Sequence, residues 1–593
     1  MKRVLLFLLL CAGVWFAFWG IRKSRAAAAT DKAILIVKGV VHPMDTAQFG
    51  PGAFKYVMVG KSGNIISVTN DDREFDKYYE PGKTDTVDCI NCGVYPGFID
   101  AHAHVALGTL MTGLADLSGS PYGHVNSIKV LQDSLRNYIA SNYKGKPSDM
   151  IVGYNYDDAQ LDSHQQPTRY DLDKIDNTHP IYILHVSAHM GVANSKFLEM
   201  LNVASLDTVS GGTVVKENGV ATGLLLENTN IKALGVATDL IQKQAGLTDA
   251  QKGEMALNNL KNQEKLWFSY GITTICEGRA DRKMLDLVQS ASEAKLLKGD
   301  YIVMLDYDSI SNWKSYKKYY NNYHGNFKIG GVKFTFDGSP QGKDAYLTKP
   351  YKTPMIGQPA GYVGSPIYSY DDALKYVGEV VDYGMPVHIH MNGDSAIGMG
   401  IKIFNTLKAQ GRLGKSPTKN VFIHCQLSRK DQLEAMNKLN QYVMESFFPI
   451  HVYVWGDWYR TNVLDTTRAN YIAPLKDAQN NNLFFTIHTD APVTPPDLLT
   501  AIYAASARKT QSGVLLGPDQ AITPVDGIKA ITTNAAYQWG ELGTKGMLKV
   551  GYKGDIVVLS RDVFHGNPDK IKNDKVLYTF KNGERVYDYR KKL

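Results

Sequence analysis

Cysteine is scarce in this sequence, with only five residues among 593. So few cysteines exclude a protein held together by a framework of disulfides. Cys89 and Cys92 form one Cys-x-x-Cys pair, but a zinc knuckle would need a second such pair, which the sequence lacks. We therefore expect Cys89 and Cys92 either to form a local disulfide or to remain free thiols.

A strong excess of one charge is also missing from most of the chain. The net charge is +7, but Lys2, Arg3, Arg22, Lys23 and Arg25 supply five of those charges without any acid nearby, so the remaining residues carry only +2. A net charge this small does not indicate a basic surface for binding nucleic acid. A content of 44% hydrophobic and 21% charged residues is typical of a folded protein and argues against disorder.

The first residues contain a long apolar run. Residues 4–21 carry no charge, basic residues flank them on both sides, and residues 26–29 are all alanine. A signal peptide cleaved near these alanines would have this pattern. An uncleaved anchor would have it too, because 18 apolar residues nearly span a bilayer. We expect residues 1–29 to be one or the other, with the rest of the chain periplasmic or secreted, or held at the inner membrane by residues 4–21.

Short strand-like runs occur at both ends of the remaining chain. Residues 33–68 and 554–587 contain alternating apolar residues and tight turns, one of them at Asn582-Gly583. Two segments of the same kind that bracket everything else predict one small β-sandwich domain. We assign it to residues 30–95 and 541–593.

Between these ends, eight apolar runs alternate with segments long enough for a helix. The runs are residues 98–104, 272–276, 301–306, 331–336, 386–390, 421–424, 442–447 and 483–490. Such an alternation is typical of parallel strands joined by helices, and eight units predict an α/β fold, a (β/α)8 TIM barrel over residues 96–540. The long gap after the first run predicts an insertion at about residues 105–265.

Side chains that can bind metal stand at the ends of five of these runs. They are His102, His104, Lys333, His390, His424 and Asp490. A single histidine at a strand end is usually a polar cap, and a single lysine usually extends to solvent. Catalytic groups of a barrel come from the C-terminal ends of different strands, so we expect these six to converge. Imidazoles that converge at a strand end are typical ligands of a divalent metal.

The chain resembles the amidohydrolase superfamily, and within it the third amidohydrolase family, the YtcJ-like branch that includes N-substituted formamide deformylases. The resemblance extends from about residue 34 to residue 590. The motifs that carry it include PGFIDAHAH (96–104), GVATGLLLE (219–227), HIHMNGDSAI (388–397), IHCQ (423–426), HTDAPVTPPD (488–497) and GYKGDIVVLS (551–560). Their order and spacing agree with the family throughout.

The resemblance implies a site with two divalent metals, usually zinc, although some relatives use one. His102 and His104 would bind one metal together with Asp490. His390 and His424 would bind the second.

Lys333 matches the lysine that bridges the two metals in this family after carboxylation by carbon dioxide. The modification is required because an ammonium group cannot bind a cation. Two such ions would lower the pKa of a water molecule toward ~7, and Asp490 would orient the resulting hydroxide and pass its proton to the leaving nitrogen. The expected enzyme is a hydrolase of C–N bonds other than peptide bonds, with an amide-like or formamide-like substrate.

The insertion and the loops that follow the strands predict the substrate contacts. Tyr154, His189, Glu227 and Arg508 are candidate binding residues, and His189 and Glu227 match a histidine and an acid of the family. For each of the four, a purely structural role is at least as common. His388 and His488 would each either line the pocket or pack beneath it.

Other functions stay open at this stage because fold and ligands do not fix the bond that is cleaved. The same scaffold could hydrolyse a lactone or a phosphoester, or catalyse an isomerisation. The body could also be a membrane-tethered binding protein with a vestigial site. The expected partner is a small-molecule substrate, with no nucleic acid and with membrane contact only through the N-terminal segment. A homodimer is left open.

Overall fold

The chain is described here from a computed structural model that covers residues 32–45, 53–142, 149–207, 209, 211–355, 357–564 and 566–591. These residues divide into two compact units. The predicted signal peptide or anchor at residues 1–29 lies outside the described residues. Within the described ranges, no helix has the length and apolar character needed to cross a membrane.

Strands and helices alternate through most of the described chain. The strands are β1 (Ala33–Val41), β2 (Phe54–Gly60), β3 (Ile65–Thr69), β4 (Asp85–Pro96), β5 (Phe98–Ile99), β6 (Ala115–Asp116), β7 (Ile151–Tyr156), β8 (Ile181–His185), β9 (Met190–Ala193), β10 (Gly212–Glu217), β11 (Val220–Glu227), β12 (Ile272–Ala280), β13 (Asp300–Asp306), β14 (Phe327–Thr335), β15 (Val387–Met391), β16 (Asn420–His424), β17 (Val443–Phe447), β18 (Phe485–Ile487), β19 (Ile556–Leu559), β20 (Val576–Lys581) and β21 (Glu584–Asp588).

The α-helices are α1 (Asp72–Tyr78), α2 (Val105–Met111), α3 (Ile128–Asn142), α4 (Arg169–Asp173), α5 (Ser195–Leu201), α6 (Val203–Leu206), α7 (Asn228–Gln244), α8 (Asp249–Ser269), α9 (Arg282–Glu293), α10 (Tyr370–Asp382), α11 (Asp394–Ala409), α12 (Lys430–Asn437), α13 (Ile450–Val454), α14 (Gly456–Trp458), α15 (Thr466–Asn470), α16 (Leu475–Asn480), α17 (Leu498–Ala507), α18 (Pro524–Ala530) and α19 (Thr533–Gln538). Short 3-10 helices occupy Asp158–Gln160, Trp313–Tyr319, Pro518–Gln520 and Pro568–Asn573, and one π-helical turn occupies Tyr459–Val463.

The first unit consists of the described residues before Phe98, together with Leu542–Asp562 and the described residues from Lys575 onward. Its strands form one seven-stranded mixed sheet in the order β21-β20-β19-β4-β1-β2-β3. A β-sandwich was predicted for this part of the chain. The structure has one sheet instead of a sandwich, because the long strand β4 pairs with β1 along one edge and with β19 along the other. The strands from the two ends of the chain therefore continue a single sheet instead of stacking as two.

The cysteine pair lies within this sheet. Cys89 and Cys92 form a disulfide in β4, which is one of the two outcomes that the sequence predicts. Cys276 and Cys425 belong to the second unit, where both are buried with free thiols.

The second unit contains an eight-stranded parallel sheet that curls like a TIM barrel, in the order β5-β12-β13-β14-β15-β16-β17-β18. Each neighbouring pair is parallel, and each of the eight predicted runs overlaps one of these strands. Backbone hydrogen bonds connect the residues that follow the first and last strands. The amide of Asp490 donates to the carbonyl of His102 at 3.2 Å, and the amide of His104 donates to the carbonyl of Ala491 at 2.6 Å.

A third sheet lies within the predicted insertion after the first barrel strand. Its six strands run in the order β10-β11-β9-β8-β7-β6. β7 is parallel to both of its neighbours, β6 and β8, and the other pairs are antiparallel. Helix α7 follows β11 directly, and α8 then leads back to barrel strand β12. Leucine, isoleucine, valine and methionine side chains from this sheet and its helices form two buried clusters.

Arg508 joins two loops of the second unit. It is fully buried at the C-terminus of α17, in a left-handed backbone conformation with φ of 52°. Its Nε donates to the carbonyl oxygen of Leu516 at 2.9 Å, and its two terminal nitrogens donate to those of Ala473 at 3.1 Å and Ile472 at 2.9 Å. The side chain is therefore a structural bridge between these loops.

We predict that Arg508→Met lowers the free energy of unfolding by about 3 kcal/mol or more, because it removes three buried hydrogen bonds from a charged group to backbone carbonyls. The measurement is the midpoint and slope of urea unfolding, followed by tryptophan fluorescence. Arg282→Met removes a surface arginine and is the matched control, with an expected change within about 0.5 kcal/mol. Equal effects in the two variants would contradict the bridging role.

Candidate metal centre

The barrel sheet brings the six predicted ligands to one place. His102 and His104 follow β5, Lys333 lies in β14, His390 in β15, His424 ends β16, and Asp490 follows β18. Five of these six line a single cavity of about 190 Å³. The sixth, His102, is buried beside it, and its Nε2 lies 3.0 Å from Nζ of Lys333. The expected convergence at the ends of different strands is therefore found in the structure.

His102, His104 and Asp490 form a close group at this cavity. One possible ligand atom of each lies within 4.8 Å of the others. Oδ1 of Asp490 is 3.5 Å from Nε2 of His102 and 3.3 Å from Nε2 of His104. Two imidazoles and one carboxylate are a donor set that zinc and similar divalent ions accept.

The carboxylate of Asp490 provides a test of whether this group fits a cation. Its Oδ1 is buried, and no described residue donates a hydrogen bond to it. A buried carboxylate oxygen without full compensation is costly, and a divalent cation would compensate it. The backbone of Asp490 has a φ of 55°, a left-handed conformation that is uncommon for residues other than glycine and that occurs often at functional sites.

His390 and His424 form a second pair of donors next to this group. Nδ1 of His390 lies 3.0 Å from Nε2 of His424. On the far side of His424, its Nδ1 lies 3.1 Å from Nε2 of His488, whose Nδ1 contacts the hydroxyl of Ser446 at 2.8 Å. His488 therefore packs behind His424 and orients its ring, which decides between the two roles left open for it.

Burial keeps most of these donors uncharged. It lowers the pKa of His102, His390 and His424 well below the usual range for histidine, and neighbouring positive charges add to the effect. Burial also lowers the pKa of Lys333 to about 7. Because metal ligands must bind through unprotonated atoms, this electrostatic environment prepares the side chains for a cation.

Glu277 is a site residue that the sequence analysis missed. Its Oε1 lies 3.4 Å from Nδ1 of His104, and its carboxylate also accepts the backbone amides of Ala106 at 2.7 Å and Arg279 at 3.0 Å. Burial opposes protonation of His104, but the nearby carboxylates of Asp490 and Glu277 raise its pKa overall. Glu277 directly follows the apolar run 272–276, so the same strand-end pattern could have identified it.

His189 and Glu227 reach the same cavity from the inserted sheet. Nδ1 of His189 lies 2.9 Å from Oε1 of Glu227, and its ring centre lies 4.7 Å from that of His390. Burial opposes the positive charge of His189, but Glu227 raises the pKa of His189 to about 9. Both residues line the cavity, so the structure places these two candidates beside the metal ligands.

The other two substrate-binding candidates lie elsewhere. Tyr154 lines two other cavities and is not among the residues that line the metal cavity. Arg508 is occupied by the three backbone carbonyls described above. His388 packs against Trp539 with ring centres 5.0 Å apart, and burial lowers its pKa to about 3. It therefore packs beneath the site.

Comparison with known proteins agrees with the resemblance seen in the sequence. A model of the amidohydrolase family matches residues 85–587. The chain is 22% identical over 550 residues to an N-substituted formamide deformylase of Arthrobacter pascens, covering 89% of this chain and 94% of that protein. It is 23% identical over 569 residues to YtcJ of Bacillus subtilis (strain 168), covering 91% and 98%.

Among solved structures, an uncharacterized metal-dependent hydrolase from Pyrococcus horikoshii OT3 superimposes with a TM-score of 0.66 at 24% identity. The superposition covers 90% of this chain and 99% of that one. At this level of identity the similarity establishes a common fold, including the curled eight-stranded parallel sheet and the seven-stranded mixed sheet.

We predict that metal binding depends on the histidine pair after β5. Purified protein lacking residues 1–29 should contain about two divalent ions per chain, and the double variant His102→Ala/His104→Ala should lose at least one of them. The measurement is elemental analysis after gel filtration. The exposed His124→Ala is the matched control and should keep the original content. An unchanged content in the double variant would contradict the assignment.

We also predict a pH-dependent contribution of His189 to stability. Its folded-state pKa, about 9, lies above its ordinary value, so the stabilisation is complete below about pH 6.5 and is lost as pH rises through 9. Glu227→Gln should lower stability at pH 7 and flatten the curve between pH 6.5 and 9. The measurement is urea unfolding of chelator-treated protein across this range. A variant whose curve parallels that of the original protein would refute the pairing.

Proposed function

The chain belongs to the amidohydrolase family and is a metal-dependent hydrolase of that superfamily, and we propose that it cleaves an amide-like or formamide-like C–N bond outside peptide chains. The observation that carries the proposal is the group formed by His102, His104 and Asp490, with further imidazoles in the same cavity. The similarity to an N-substituted formamide deformylase supports the type of bond.

His102, His104 and Asp490 would hold one divalent ion, and His390 and His424 would hold a second, with zinc as the expected metal. When bound, such ions lower the pKa of water toward ~7 and polarise a carbonyl oxygen. These donors fit that role because burial favours the uncharged form of His102, His390 and His424, and because Oδ1 of Asp490 has no hydrogen-bond partner among the described residues.

Lys333 is proposed to join this site in carboxylated form. Burial lowers its pKa to about 7, so a large fraction of the side chain is a neutral amine near neutral pH. A neutral amine is the form that reacts with carbon dioxide to give a carbamate. Its Nζ already lies 3.0 Å from Nε2 of His102, a position suited to an oxygen ligand on the same side of the cavity.

Asp490 would transfer the proton during hydrolysis. Its Oδ1 faces both histidines of the first group, and the adjacent His104 overcomes the effect of burial and lowers the pKa of Asp490, so the carboxylate is ionised and can accept a proton. Asp490 takes a proton from the attacking water and delivers it to the leaving nitrogen. One C–O bond forms and the C–N bond breaks, so the products are a carboxylic acid and an amine. Glu277 holds the ring of His104 in place throughout.

The complete set of donors favours an enzyme over the binding-protein alternative. All six predicted ligands are present and five line one cavity, whereas a vestigial site would be expected to have lost at least one of them. We also propose that the enzyme acts outside the cytoplasm, as a periplasmic or secreted protein or one anchored by residues 4–21. The support for this location is the apolar run and its basic flanks.

We predict that Asp490→Asn lowers the rate of hydrolysis by at least ~10²-fold while the protein keeps most of its metal, because asparagine can still contact a cation but cannot accept the proton. The measurement combines elemental analysis with release of amine from a panel of N-formyl and N-acetyl amines.

The exposed Asp249→Asn, at the start of α8, is the matched control and should leave both quantities unchanged. Full turnover by Asp490→Asn at full metal occupancy would exclude the proposed role of this carboxylate. Metal-loaded original protein that cleaves none of the amides would exclude the proposed reaction.

A further inference from the structure

A second, larger cavity adjoins the metal cavity within the same unit. It has a volume of about 630 Å³, compared with about 190 Å³ for the metal cavity, and the side chains of Leu107 and Leu234 line both. We call the larger one the side cavity. Both leucines are only half-buried, and both pack against a hydrophobic cluster of the inserted region.

Two helices connect the catalytic residues to the side cavity. Helix α2 begins directly after the proposed ligand His104, and Leu107 lies in its first turn. Helix α7 begins directly after Glu227, the partner of His189, and Leu234 lies in its second turn. Each helix therefore starts at the metal cavity and continues along the side cavity. The two cavities share these helices as walls, and each helix begins directly after a residue of the metal cavity.

The wall of the side cavity is mainly apolar. Its lining includes Leu107, Met111, Leu114, Val152, Leu184, Leu234, Ile241 and Ala256. Several of these residues belong to the hydrophobic cluster or pack against it. Removing apolar surface of a ligand from water against such a wall is favourable.

Most of the polar side chains in this wall already have partners in the backbone. A backbone carbonyl accepts a hydrogen bond from each of Thr109, Thr112, Tyr138, Asn142, Thr238, Gln244 and Asn259. These bonds use the hydroxyl hydrogens of the threonines and the tyrosine, which leaves fewer donors for a polar ligand. The metal cavity differs, because four histidines and five carboxylates are among the residues that line it.

We propose that the side cavity binds an apolar substituent of the substrate, an alkyl or aryl group of about four to eight carbons, while the amide group occupies the metal cavity. The metal cavity, at about 190 Å³, is smaller than a typical small-ligand site, whereas the side cavity, at about 630 Å³, has the size of one. The inference rests on the proposed amide hydrolysis and specifies its substrates as amides with one long apolar arm. Each methylene buried there favours binding by about fourfold.

The first test compares three substrates with metal-loaded full-length protein: N-methylformamide, N-hexylformamide and N-methylhexanamide. We expect one of the long substrates to exceed N-methylformamide in kcat/KM by at least ~10-fold. N-hexylformamide carries its long arm on the amine and N-methylhexanamide carries it on the acyl group, so the preferred one identifies which part of the substrate enters the side cavity.

The matched pair of variants is Ala256→Trp and Ala250→Trp, both on α8. Ala256 lines the side cavity, whereas Ala250 is exposed in the first turn of the helix and lies outside that lining. Filling the cavity through Ala256→Trp should reduce the preference for the long substrate at least ~10-fold, and Ala250→Trp should leave it unchanged. Ala256→Leu fills less of the cavity and serves if the tryptophan variant does not fold.

A binding measurement separates this inference from the proposed reaction. Metal-free protein should bind the preferred long amide at least ~10-fold more tightly than N-methylformamide in calorimetry, and Ala256→Trp should abolish the difference. Metal-dependent cleavage with equal kcat/KM for short and long amides would overturn the side-cavity proposal and leave the reaction intact. If no amide is cleaved, the proposed reaction fails, and long-amide binding that is insensitive to Ala256→Trp would overturn the side-cavity proposal as well.

Discussion

Backbone hydrogen bonds between the residues that follow the first and last barrel strands are the constraint on which the site depends. The amide of Asp490 donates to the carbonyl of His102, and the amide of His104 donates to that of Ala491. These bonds fix segments that are almost 400 residues apart in sequence, and they turn the eight-stranded sheet into a curled surface with one common end. The carboxylate of Asp490 can face the two imidazoles because of this closure.

The site then combines buried, unprotonated nitrogen atoms with a carboxylate oxygen of Asp490 that has no hydrogen-bond partner among the described residues. Burial lowers the pKa values of His102, His390 and Lys333, so these groups present unprotonated nitrogen atoms to the cavity. Such an arrangement would be unfavourable for packing alone, because polar atoms in a protein interior need partners. A divalent cation supplies that partner, and Glu277 adds an outer contact that orients His104, as is usual for histidines that bind metal.

The inserted sheet and its helices contribute residues to both cavities next to the barrel. They contribute His189 and Glu227 at the polar end, and the helices that begin at His104 and Glu227 lead to apolar walls. Charged chemistry and apolar recognition are thereby separated into adjoining spaces. That separation is physically useful, because the hydrocarbon arm of a ligand is best buried away from groups that must stay available to a metal or a proton.

The sequence by itself determined the eight barrel strands and the six candidate ligands. Apolar runs of strand length and the polar residues at their ends are local patterns, and a parallel barrel collects such ends on one side. The same pattern extended by one residue would have included Glu277. Only the tertiary structure decided that β4 pairs on both edges to make one mixed sheet, and that Arg508 bridges backbone carbonyls away from the cavity. Pairing between distant strands and the partners of a buried side chain are set by contacts between remote segments, which no local pattern records.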